Sequence, residues 1–504
     1  MKPLAFFPEV SALRIRLRLD RDWTIDRIDD RLYSSFVEHM GRSVYHGIYE
    51  PEHPSANADG FRQDVIDLVK PLRLPLVRYP GGNFLSAYEW EDGVGPVRVP
   101  ILDPAWRQKE PNTVGTDEFH RWAKLVGADV LMAVNLGTRE AVDAMHLLEY
   151  CNFPAGSKYA DQRIANGQSA PYGDKVWCLG NEMDGIWQVG HRTAEDYAAA
   201  ARKTACAMKM LDPSIELVAC GSSSPEMPTF GAWERTVLGQ TYDHVDYISL
   251  HRYYLNEGRD SMEYLGCSME MERFIDAVAA QCDSIGSELH RNKKIHLAFD
   301  EWNVWAKKRS DNEEELWTIG PRREEYEFSM EDALAFGTLL IALINHCDRV
   351  KIACLAQLVN VCAPIMTENC GRAWAQTTYY PFLHASQFGR GTALRIQLDC
   401  PTYQAGRYGE TPFVAASAVL SPQEESVTLF VVNRSLTEGV AVTIDGLAGY
   451  EISEHIIMKS DDLDATNTAL EPDRVRPTAT KVLPAHSVFI DKASWNVIRL
   501  KVKE

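Results

Sequence analysis

The chain of 504 residues lacks most of the signatures that announce a chemistry at first sight. Its 11 cysteines are an odd number, scattered, with no C-x-x-C. Neither a disulfide framework nor a zinc site is implied. Cys178, Cys220 and Cys354 sit inside apolar, strand-like runs, as small buried hydrophobes in a reducing compartment do. There is no G-x-G-x-x-G turn, no P-loop, no H-E-x-x-H and no G-x-S-x-G. Dinucleotide, nucleoside-triphosphate, zinc-protease and serine-hydrolase chemistries are therefore without their usual residues. Positive charge is short, 52 Lys and Arg against 71 Asp and Glu, and the net charge of −19 argues against a nucleic-acid or anionic-membrane partner. The longest apolar run, 334–344, contains Gly337 and falls well below the ~20 residues of a membrane span. Residues 4–7 are too few for the apolar stretch of a signal peptide, and Pro8-Glu9 follows at once. A cytoplasmic protein is expected.

What is present is periodic. The chain is longer than one ordinary core, so a large domain and a smaller one are expected. From about residue 31 short apolar runs recur, each followed by polar residues and a helix-like segment. There are eight: 32–37, 76–78, 130–135, 176–181, 216–221, 247–251, 295–300 and 352–358. Between them 194–211 reads as a helix, opened by Thr193 and Asp196 as a capping box and stopped by Asp212-Pro213; 330–345 reads as another, with Ser329 as N-cap. Eight alternating units predict an α/β fold, a (β/α)8 TIM barrel. A doubly wound open sheet is the alternative, and it would want the Gly-rich turn that is missing.

In a barrel the site lies at the carboxyl ends of the strands. The fourth run stops at Asn181-Glu182 and the seventh at Asp300-Glu301-Trp302. One such glutamate is as readily a salt-bridge partner as a catalyst. Two in equivalent positions, each beside aromatics, form the carboxylate pair that hydrolysis of a glycosidic bond requires. The other ends carry Glu38, Arg78, Asn83, Asn135, His251, Tyr253 and Gln357. Such a ring of hydrogen-bonding side chains suits a sugar.

After about 381 the helical pattern stops. The runs 413–420, 427–433, 440–447, 450–458 and 488–502 read as strands of an all-β sandwich. Residues 11–20 alternate apolar and charged with period two, unlike the barrel runs, and are assigned to that sandwich. The expected organisation is 1–20 completing the sandwich, 21–381 the catalytic barrel and 382–504 the C-terminal β-sandwich.

Taken together, F-V-E-H-M-G-R, R-Y-P-G-G-N-F, W-E-D-G-V-G-P, A-V-N-L-G-T-R, W-C-L-G-N-E-M-D-G, D-Y-I-S-L-H, F-D-E-W-N-V-W and C-L-A-Q-L-V-N-V make the chain resemble the α-L-arabinofuranosidases of glycoside hydrolase family 51. The resemblance implies Glu182 as general acid/base and Glu301 as nucleophile. It implies arabinose contacts from Glu38, Arg78, Asn83, Asn181, His251, Tyr253 and Gln357, with Trp305 at the rim. It implies no cofactor and no metal, a cytoplasmic location and a homo-oligomer, commonly a hexamer. Glu140, after G-T-R, stands where the family pattern has glycine, which bears on the loop after strand three. The expected activity is retaining, exo-acting release of terminal α-L-arabinofuranosyl residues from arabino-oligosaccharides, arabinan or arabinoxylan. The rivals are a barrel glycosidase for another sugar, such as a β-xylosidase or an endoglucanase, and a catalytically silent sugar-binding protein.

Overall fold

A computed structural model describes residues 13–307, 309–421, 423, 425–480 and 486–503. The eight apolar runs form eight parallel strands closed into one barrel in chain order: Ser34–Phe36, Leu76–Tyr79, Asp129–Val134, Val176–Leu179, Glu216–Ala219, Tyr247–Leu255, His296–Trp305 and Val350–Ala356. A helix follows each strand on the outside. Their ends obey local chemistry. Thr193 Oγ1 accepts the Asp196 amide at 3.2 Å to open Ala194–Leu211, and Gly127 at φ 81° closes Thr116–Val126. Ser329 and Asp332 cap Met330–Asn345 reciprocally, Asp332 Oδ2 taking the Ser329 amide at 2.8 Å.

That last helix explains the apolar run 334–344. It is buried all round because it lies between barrel and sandwich, and a helix covered on every side is apolar on every side. Gly337 faces Trp495 of the sandwich so closely that a Cβ would meet the indole at 2.7 Å. Among the described residues no helix is long and apolar enough to cross a membrane. All eleven cysteines are free, and eight are buried.

The second unit is two packed sheets. One holds Gln397–Asp399, Leu13–Arg18, Val440–Asp445 and Ser487–Ile490 in that order. The other runs Thr24–Arg27, Thr392–Leu394, Val414–Ser421, Ser426–Asn433, Ser494–Val502, Tyr450–Lys459 and Thr478–Thr480. Leu13–Arg18 pairs parallel with Val440–Asp445, its arginines outward and Ile15 and Leu17 in the core between the sheets. Residues 1–12 of the N-terminal segment assigned to the sandwich lie outside the described residues. Three details differ from the expected divisions. Thr24–Arg27 joins the second sheet, and the last barrel helix, Tyr379–Phe388, runs past 381. The run 488–502 is two strands in different sheets, parted at Ala493, whose φ of 43° breaks an extended chain.

Leu17 is fully buried between the sheets, so Leu17→Ala should cost about 2–5 kcal/mol through lost transfer energy and the cavity left behind. Urea unfolding followed by tryptophan fluorescence checks this. A change below ~0.5 kcal/mol would mean that the strand is not an integral part of the sandwich core.

Candidate active site

The carboxyl ends of the strands surround a cavity of about 410 Å³. Strand four delivers one glutamate by a sharp turn. Gly180 has φ 89° and Glu182 itself φ 43°, a left-handed conformation that costs a side-chain-bearing residue about 1–3 kcal/mol. Strand seven delivers the other by a bulge. Ser249 and His251 of strand six face Ala298 and Glu301, and Ala353 and Leu355 of strand eight face Phe299 and Trp302. Against both neighbours strand seven thus carries one extra residue at Asp300-Glu301. In a regular strand these consecutive side chains would point to opposite faces. The bulge brings both to the same arginine.

That arginine is Arg78, at the end of strand two and 1% exposed. It donates to Glu301 Oε1 at 2.6 Å and to Asn181 Oδ1 at 2.7 Å, and its Nε is 3.3 Å from Asp300 Oδ2. Its guanidinium lies over the Phe36 ring at 4.7 Å. Tyr253 donates to Glu301 Oε2 at 2.8 Å and stacks on Trp305 with centroids 5.1 Å apart. His251 stands between the glutamates. Its Nδ1 is 2.9 Å from Glu182 Oε1 and 3.7 Å from Glu301 Oε2, and its Nε2 is 3.4 Å from Asp300 Oδ1.

Burial works against the imidazolium of His251, but the charges of Glu301 and Asp300 outweigh it and raise its pKa well above the usual 6.5. Asp300 is the counterpart: burial raises its pKa, Arg78 and His251 lower it, and the net direction is down. One oxygen of Glu182, one of Glu301 and a His251 nitrogen lie within 4.8 Å of one another. Both Glu301 oxygens are already taken, by Arg78 and Tyr253.

The opposite wall is built on Glu38. Gly82 comes so close that a Cβ there would sit 2.3 Å from Glu38 Oε2. Oε1 accepts the Phe84 amide and the Trp106 indole N–H, each at 2.9 Å. Gln357 Oε1 accepts the Glu38 amide at 3.0 Å. Burial pushes the Glu38 carboxyl up to about 8, Glu301 adding to burial and the Phe84 amide opposing it. Asn83 Oδ1 faces Asn181 Nδ2 at 3.4 Å and accepts from Gln188.

Of the ten residues given site roles by the resemblance, Glu38, Asn83, Glu182, Tyr253, Glu301, Trp305 and Gln357 line the cavity. Arg78, Asn181 and His251 do not. Arg78 and His251 lie against the carboxylates, and Asn181 accepts from Arg78 and faces Asn83. Glu140 is exposed at the start of helix Ala141–Asn152 and away from the cavity. Its φ of −139° is extended backbone that needs no glycine. Sequence reading missed Trp106, Trp187, Gln188 and Asp300 as partners. Trp187 donates to Glu182 Oε2 at 2.6 Å, and its place five residues after the glutamate was the available clue. Trp106 lies on a hairpin with no periodic signal.

Residues 68–266 match the family model described as the α-L-arabinofuranosidase 1 domain, and residues 300–491 the α-L-arabinofuranosidase C-terminal domain. The chain is 50% identical over 498 residues to the intracellular exo-α-(1→5)-L-arabinofuranosidase 1 of Bacillus subtilis, covering 97% of this chain and 99% of that protein. It is 45% identical over 507 residues to an exo-α-(1→6)-L-arabinofuranosidase of Bifidobacterium longum, covering 96% and 97%. The solved structure of a family 51 α-L-arabinofuranosidase from Bifidobacterium longum superposes with a TM-score of 0.92 at 41% identity, covering 97% of this chain and all of that one.

A histidine whose pKa is raised on folding contributes stability that is complete below its unfolded value, near 6.5, and is lost as pH rises through its folded value. The parent should therefore lose stability upward from about pH 6.5 in part through His251. In His251→Asn that part of the slope should vanish. Urea melts of both proteins at about pH 7, 8 and 9 test it, and parallel slopes would refute the assignment.

Proposed function

Since the chain belongs to the α-L-arabinofuranosidases of glycoside hydrolase family 51, we propose that it removes terminal non-reducing α-L-arabinofuranosyl residues with net retention. The observation that carries the retaining reading is the approach of carboxylate oxygens of Glu182 and Glu301 to within 4.8 Å. Retaining pairs lie about 5–5.5 Å apart, whereas an inverting pair needs about 6.5–9.5 Å to admit water between them.

The roles follow from the surroundings. Glu301 takes donors on both oxygens, from Arg78 and Tyr253, which hold it in orientation for attack on the anomeric carbon. Glu182 is the more exposed, 13% against 8%, and sits beside Trp187 on the side open to a leaving group. In the first step the Glu301 carboxylate forms an ester to the anomeric carbon as Glu182 gives its proton to the departing oxygen. In the second, Glu182 takes a proton from water, the water oxygen bonds to the anomeric carbon, and Glu301 is released. Glu38, Asn83 and Gln357 face the bound sugar and supply its hydroxyl partners. Arg78 and His251 serve by holding the two carboxylates, and Asn181 by bracing Arg78.

Arabino-oligosaccharides, arabinan and arabinoxylan side chains present such terminal residues. The names of the relatives divide between (1→5) and (1→6) linkages. The names of several relatives as intracellular, and the free cysteines, support a cytoplasmic place of work. The proposal extends to a homo-oligomer, six copies by family resemblance. Light scattering should then give six times the 56.8 kDa of one chain.

The division of labour is tested by azide rescue. Without Glu182, departure of a poor alkoxide should slow by about a hundred- to ten-thousandfold, while a good aryloxide leaves unaided. Glu182→Ala should form the glycosyl-enzyme from an activated aryl arabinofuranoside and then stall. Azide, which needs no base, should release it as the α-azide after two inversions. Glu301→Ala should give only the β-azide, by one direct inversion. Nuclear magnetic resonance of the two products decides, and the opposite pairing would reverse the roles.

A further inference from the structure

Between strand two and helix Thr116–Val126 a hairpin, Ile101–Asp103 and Gln108–Glu110, reaches over the cavity. A two-stranded hairpin is barely stable alone in water, so its tip lies where its anchors put it. The anchors are polar and buried. Gln108 Oε1 accepts the Gly41 amide at 2.9 Å, and its Nε2 donates to the His39 carbonyl at 2.7 Å. Glu110, 1% exposed, has Oε2 2.8 Å from His39 Nδ1, while Oε1 accepts the Asn112 amide at 2.7 Å and the Tyr45 hydroxyl. His39 Nε2 is 2.8 Å from the Tyr79 hydroxyl. Asp103 caps the turn, accepting the Ala105 amide at 2.9 Å. On the far side, backbone bonds tie the hairpin to the loop after strand seven: Trp317 N–H to Arg107 O at 2.6 Å and Lys109 N–H to Thr318 O at 2.9 Å.

These anchors touch neither reacting carboxylate. Their line into the site runs through the tip, where Trp106 donates to Glu38 Oε1. With the Phe84 amide on the same oxygen, Glu38 keeps Oε2 for the cavity, where Gln357 Nε2 stands off at 3.5 Å. Gln108 and Glu110 bind the segment that directly follows Glu38, so hairpin and carboxyl are registered to each other by one set of contacts.

We propose that Gln108 and Glu110 are positioning residues for sugar recognition: they clamp the hairpin to the segment carrying Glu38 and so deliver Trp106 to it. This rests on the reading of Glu38 as a sugar contact. Steady-state kinetics of the full-length chain on aryl and alkyl α-L-arabinofuranosides test it by a double-mutant cycle. Trp106→Phe keeps an aromatic ring and removes the N–H, and it should lower kcat/KM on the order of tenfold. Glu110→Gln should lower it by a similar factor in the parent but by less than about threefold in the Trp106→Phe background, because the two act through one contact. The loss should be equal for aryl and alkyl leaving groups, since it is suffered on the sugar side. A Glu110→Gln loss of equal size in both backgrounds, or none in the parent, would overturn the proposal while leaving Glu38 in place. If Glu110→Gln does not fold, Gln108→Met takes its place in the same cycle. Should Trp106→Phe and Glu38→Gln both leave kcat/KM unchanged, the reading of the sugar wall itself fails.

Discussion

The guanidinium of Arg78 is buried, 1% exposed, among groups from three other strands. It meets Glu301 and Asp300 from strand seven and Asn181 from strand four, and it covers the Phe36 ring of strand one. A buried cation without partners is costly, and so are two buried carboxylates; each is tolerable because the other is there. The contact thus joins four strands at the height where the chemistry takes place. It also helps set the direction of Glu301, whose Oε1 accepts from Arg78 while Oε2 accepts from Tyr253.

The rest of the site is arranged around that point. His251 stands between Glu182 and Asp300, so the carboxylates stand close without facing only one another. Tyr253 takes the remaining oxygen of Glu301 and hands its ring to Trp305. The cavity wall proper is left to neutral or hydrogen-bonded groups around Glu38, which suits a sugar whose hydroxyls both donate and accept. Two layers result, the carboxylate pair held by Arg78, His251 and Tyr253, and the Glu38 wall held by loops.

The sandwich backs this arrangement through the helix between the two units. Helix Met330–Asn345 packs on strand seven on one side and, through Gly337, on Trp495 and Val432 on the other. Strand seven carries the bulge and Glu301, so the helix that supports it has a fixed backing in the second unit. Interiors close-packed on both faces leave such a helix little room to shift.

The sequence by itself determined the eight parallel strands, their ends as the place of the site, the carboxylate pair and the sandwich nature of the tail. Each of these depends on local periodicity or on position at a strand end, and closure of a parallel barrel brings strand ends together whatever the loops do. Tertiary structure alone decided which polar ends face the cavity and which stand behind it. Arg78, Asn181 and His251 look like Asn83 and Gln357 in sequence, and it is the bulge at Asp300-Glu301 that brings both of its carboxylates to Arg78. It alone decided that 488–502 divides between two sheets, because Ala493 turns left-handed where the sheets part. It alone placed Trp106 and Trp187 against the glutamates. Their loops have no repeating pattern, and hydrogen bonds to residues distant in the chain or a strained turn after a strand set their course.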